Sequence, residues 1–132
     1  MTTILLVEDD PLQASMMMSL LERRFAHVRR ATDAAEALCL IEQPKFAEQL
    51  GLVISAHHTL GIGGPAFVAE LHERMPALPV VVLGAPSEAR GLYAGEHVAF
   101  ITRPLVVEEI LALTRQMISQ NKHAAAGAAN SC

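Results

Sequence analysis

The chain is poor in aromatic rings, cysteine and clustered positive charge, and each shortage removes a class of answers. Tryptophan is absent, and four Phe with one Tyr are the only aromatic residues among 132. The core must therefore be aliphatic, built from Leu, Ile, Val, Ala and Met, the usual filling of a parallel sheet covered by helices. The two cysteines, Cys39 and Cys132, stand far apart and lack the paired spacing of a zinc site or the density of a disulfide scaffold. Cys39 falls within a helical pattern and reads as a small buried residue, and Cys132 as a free thiol. Lys and Arg number 10 against 14 Asp and Glu, a net charge of -4. That balance argues against a nucleic-acid surface, which needs clustered cations. The short run Arg23, Arg24, Arg29 and Arg30 reads as a solvated face. No signal peptide is read in the sequence and no apolar run reaches about 18 residues, so no leader and no membrane partner are expected. What remains is one cytoplasmic domain with a single sizeable core.

Strand and helix patterns alternate along it. Thr3–Val7 is a continuous aliphatic run, as in a strand buried on both faces. Asp10-Pro11-Leu12-Gln13 then opens a helix, with Asp10 as cap, proline at the first position and Gln13 placed to reach back. Leu12, Met16, Leu20 and Leu21 supply its apolar stripe. His27–Ala31 is a short second strand. Asp33 and Glu36 start a second helix, whose buried side is Ala35, Leu38, Cys39 and Ile41, and Gln43-Pro44-Lys45 closes it. Leu50–Ser55 is the third strand, and Pro65–Met75 a helix with Phe67, Val68 and Leu71 inward. Pro79–Leu83 is the clearest strand of all. Gly84–Gly95 reads as a short or irregular helix, His97–Thr102 as the fifth strand, and Leu105–Ser119 as the last helix. Residues 1–119 thus form the domain, and 120–132 a disordered tail with nothing large and apolar to bury.

Such alternation specifies an α/β domain with a five-stranded, doubly wound parallel sheet. Right-handed crossovers favour the flavodoxin-like order 2-1-3-4-5. Sites on such sheets lie at the carboxyl ends of the strands, which collects Glu8, Asp9, Ala56, Gly84 and Arg103 around one crevice.

Four segments resemble the receiver domains of two-component response regulators. Val7-Glu8-Asp9-Asp10 resembles their acidic, magnesium-holding cluster. Leu52–Gly64 resembles the strand and loop that carry the phosphoryl-accepting aspartate, and Ala31–Leu38 their second helix start. Phe100-Ile101-Thr102-Arg103-Pro104 is similar to the switch aromatic, basic residue and proline that end the fifth strand, with arginine where lysine is usual. The resemblance spans about residues 2–119 and implies the (βα)5 fold, with a cis bond expected before Pro104.

It also implies losses. Ala56 stands where the nucleophilic carboxylate belongs, and a methyl group cannot attack phosphorus. Gly84 stands at the switch hydroxyl and has no side chain. Arg103 replaces a compact ammonium with a planar guanidinium. Magnesium, which needs an octahedron of oxygens, keeps only Glu8 and Asp9, so weak or absent binding is expected. A pair from Arg103 to Asp9 or Glu8, holding one conformation, is the expected replacement. The function implied is a stand-alone, non-enzymatic bacterial pseudo-receiver acting by protein contact. Its partner would be a histidine kinase or another response regulator. A homodimer through the fourth-helix, fifth-strand and fifth-helix face is a further expectation. Alternatives are a small-ligand module using the vacated crevice, and phosphorylation at Asp9, Asp10 or His57. His57 and His58, read as adjacent strand residues on opposite faces, are taken as structural.

Overall fold

A computed structural model describes residues 2–58, 62–93 and 97–130, with side chains up to Ser119. Residues 59–61 of the Leu52–Gly64 segment, Gly95 and Cys132, all named above, lie outside them. Five strands form one sheet: β1 (Thr3–Val7), β2 (Val28–Ala31), β3 (Leu50–Ala56), β4 (Val80–Leu83) and β5 (Val98–Ile101). All neighbours run parallel, in the order β2-β1-β3-β4-β5. The α-helices are α1 (Pro11–Glu22), α2 (Ala34–Ile41), α3 (Pro44–Gln49), α4 (Gly64–Arg74) and α5 (Val107–Asn130), with a 3-10 helix at Ser87–Leu92.

Strand alternation divides the core into two layers. Leu5, Val7, Val53, Val80 and Val82 face α2, α4 and the 3-10 segment. Ile4, Leu6, Leu52, Ile54 and Val81 face α1 and α5. Phe67, Val68 and Leu71 are buried as their spacing required. Both helix-start signals are realised. Asp10 accepts a hydrogen bond from the Leu12 amide, and Asp33 accepts one from Glu36 while Glu36 takes the Thr32 amide. The reach-back at α1 comes from Glu8, which accepts from the Asp10 amide, and not from Gln13.

Three expectations are corrected. In α1 the sheet-facing residues are Ala14, Met17 and Leu21, whereas Leu12 is 70% and Met16 59% exposed. Small Ala14 lets the helix sit close against the strands, which rotates the larger residues outward. Likewise α2 buries Ala34, Ala37, Leu40 and Ile41, and leaves Cys39 on the surface. Pro44 opens a new short helix and does not merely end the old one, because proline fits the first helical position. Beyond these, α5 continues past Ser119 to Asn130, consistent with the high helix propensity of its alanines.

Thr114 on α5 is fully buried, and among the described residues nothing meets its Oγ1. Replacing that hydroxyl by a methyl removes a desolvation cost without changing shape. Thr114→Val is expected to stabilise the fold by about 1 kcal/mol in urea unfolding. Phe67→Ala, in contrast, should cost about 3–5 kcal/mol.

Candidate functional site

The carboxyl edge of the sheet gathers the residues that the sequence singles out. β3 lies between β1 and β4, with Val7 beside Ser55 and Ala56 beside Leu83, and Leu83 pairs in turn with Ile101. Glu8 and Asp9 therefore leave β1, Ala56 ends β3, Gly84 follows β4 and Arg103 follows β5 along one rim.

Glu8 is 7% exposed, and burial pushes its carboxyl above the usual range. The Asp10 amide opposes that shift, and the neighbouring Asp9 carboxylate adds to it. Among the described residues no ion pair relieves Glu8. The Nε and Nη2 of Arg30 donate to its backbone carbonyl at 3.1 and 2.9 Å, which anchors the main chain at the end of β1. Arg30 is thus half-buried structure, not the solvated charge expected from its run. In β2 it shares a face with half-buried Val28, a parity that was available in the sequence.

Arg103 does not reach the acidic pair. Its exposed guanidinium lies against Gly84, where an added Cβ would stand 3.2 Å from Nε and 3.7 Å from Cζ. Gly84 also has φ +78, a backbone region that favours glycine. The missing side chain at 84 thus makes the berth for Arg103, and burying the pair with Glu8 would have cost several kcal/mol of desolvation. The Arg103–Pro104 peptide is cis.

A second cluster was not anticipated. β3 ends at Ala56, so His57 and His58 lie past the strand and their rings meet edge to face, 4.8 Å apart. His57 Nδ1 lies 2.6 Å from the Tyr93 hydroxyl, which donates when the ring carries its proton on Nε2. Tyr93 is 8% exposed and stacks edge-on against Phe100 at 5.3 Å. Arg90 covers Phe100 at 5.3 Å. Gly64 completes the pocket: a methyl there would collide with Tyr93 Oη and stand 2.7 Å from the His57 carbonyl. The rim is thereby wired through His57 and Tyr93 to the aromatic on β5.

Burial lowers the His57 pKa from 6.5, and neighbouring His58 lowers it further; burial raises Tyr93 to about 12.

The family model of the response regulator receiver domain matches residues 4–115. The chain belongs to that family. As a receiver domain it is a module of two-component signalling. Among solved structures it is similar to the signal receiver domain of an HD domain-containing protein from Pseudomonas fluorescens Pf-5. The identity there is 27% and the TM-score 0.80, over 92% of this chain and 98% of that one. A receiver domain protein from Clostridium thermocellum gives TM-score 0.82 at 17% identity, over 94% and 99% of the two chains. The receiver domain of a signal transduction histidine kinase from Syntrophus aciditrophicus gives 0.78 at 24% identity, over 91% and 92%. These last two share the fold. No curated protein matches in sequence. Among the described residues no helix of this receiver is long and apolar enough to cross a membrane.

Tyr93 is the only tyrosine in the chain, so its tyrosinate absorbance should titrate near 12 in the native protein. Gly64→Ala should expel the ring and return the midpoint toward 10. Glu8 has its folded pKa raised from 4.5. The stability it contributes is present below 4.5 and lost as pH rises through the folded value. Glu8→Gln should therefore raise the melting temperature at pH 7, with the gain shrinking toward pH 4. His57 acts oppositely. Because its folded pKa is lowered, stability falls as pH drops from 6.5 toward that value.

Proposed function

We propose that this receiver signals without phosphorylation at position 56, as a pseudo-receiver that contacts a protein partner from one fixed conformation. The observation that carries the reading is Ala56 itself: the last residue of β3 offers a methyl group where phosphoryl transfer needs a carboxylate. Gly84 and Arg103 support it. The first has no hydroxyl to follow a phosphoryl group, and the second is parked against the first. The His57–Tyr93 contact supplies a fixed connection between the rim and Phe100 in place of a switched one.

The rim does not fit magnesium. Its third carboxylate position is Ala56, and Glu8, whose pKa burial raises, takes up the Asp10 amide. Among the described residues no three His, Cys, Asp or Glu cluster as a metal site would need. The same deficits leave no nucleophile or complete ligand set for a phosphatase, so we read the domain as non-enzymatic. Its partner class is a histidine kinase or another response regulator, engaged by surface contact.

Incubation with acetyl phosphate and magnesium, followed by intact mass and amide chemical-shift mapping, tests this. The expected result is an unchanged mass and unmoved signals for Gly84, Tyr93 and Phe100. A phosphoryl adduct, on Asp9, Asp10, His57 or elsewhere on the rim, would show that a working switch remains.

A further inference from the structure

Helix α1 carries two apolar stripes and the fold uses one. Ala14, Met17 and Leu21 pack on the sheet. Leu12, Met16 and Leu20 recur every four residues on another side, with Leu12 at 70% and Met16 at 59% exposure. This second stripe forms one wall of an apolar groove of about 860 Å³, whose other wall is Leu105, Val107 and Ile110. Val106 and Val107, at 41% and 39% exposure, extend the same surface. Leu12 and Met16, open to solvent beside an apolar groove, are unpartnered within the fold and suit a contact with another molecule. A ridge at four-residue spacing is the shape that packs into the groove of another helix.

The charges around it choose the occupant. At the amino end of α1 stand Asp9 and Asp10, with Glu108 and Glu109 in the first turn of α5. At the carboxyl end stand exposed Arg23 and Arg24. Each end also holds one residue of the opposite sign, Arg103 at the acidic end and Glu22 at the basic end. Ion pairs among the described residues join Arg74 to Glu42 and Glu70, and involve none of these groups. Such a pattern is complementary to itself when reversed. An antiparallel copy of α1, about 18 Å long, would bring Arg23 and Arg24 onto the partner's acidic end, Arg103 toward Glu22, and the apolar stripes into register. Two-fold pairs use the same patch on both subunits, as this requires. We infer that the α1 groove is the dimer interface of this chain, with a second copy as its occupant. The inference rests on the proposed reading that the domain acts by protein contact, and places its homodimer face on α1 and not on the 3-10 helix, β5 and α5.

Sedimentation velocity of the full chain over a range of concentrations tests it. A concentration-dependent dimer that weakens with added salt is expected. Met16→Glu alters an exposed side chain, so the melting temperature should hold while the dimer Kd rises at least about thirtyfold. Arg23→Glu with Arg24→Glu should weaken the dimer, and Glu108→Lys with Glu109→Lys should restore it in the combined variant. Three results would overturn the inference. One is a monomer at every soluble concentration. Another is a dimer indifferent to Met16→Glu, which would be held by another surface such as that around Leu92. The third is a monomer whose Leu12 and Met16 methyl signals move only with a foreign helical peptide or a small apolar molecule. Acetyl phosphate separates the two readings: an adduct would sink the phosphorylation-independent function and leave the dimer standing.

Discussion

The Tyr93 hydroxyl, wedged between His57 and the bare Cα of Gly64, is the contact on which the arrangement of this domain depends. It joins the loop after the central strand to the 3-10 segment, and through the edge-on ring contact to Phe100 on β5. A neutral hydrogen bond is worth only about 0.5–1.5 kcal/mol net, so its importance is geometric. It ties the end of β3 to the aromatic on β5 through two side-chain contacts. Glycine at 64 is the condition for it, since any side chain would displace the ring.

Electrostatics on the rim follow from the residues that stand there. With no carboxylate at 56 there is little reason to concentrate positive charge there. Arg103 rests on Gly84 at the surface, and Glu8 lowers its own cost by remaining protonated more readily than an exposed acid would. Arg30 bonds a carbonyl, not a carboxylate, and so serves the main chain of β1. Glu8 is held in place by hydrogen bonds to both its carboxylate and its carbonyl.

Much of this was legible in the residues. Val80–Leu83 could be little but a buried strand, the caps at Asp10 and Asp33 are local chemistry, and alternation then forces the parallel topology that gathers Glu8, Asp9, Ala56, Gly84 and Arg103 at one edge. Helix rotation was less legible. Apolar positions in α1 cover two stripes, and only packing shows that small Ala14 lies against the sheet while Leu12 and Met16 stay open. The long-range contacts were not legible at all. His57 and Tyr93 are 36 residues apart, and nothing local at either indicates the other. The partner chosen by Arg103 depended on space left by an absent side chain, which a search for opposite charges does not detect.

The central claim is that the rim and the β5 aromatic share one conformation. Relaxation-dispersion NMR of the amides of Gly84, Tyr93 and Phe100 measures this most directly, because it reports exchange on the microsecond to millisecond scale of such switches. Flat profiles at all three are predicted. Correlated dispersion at the three sites, revealing a second populated state, would contradict the account.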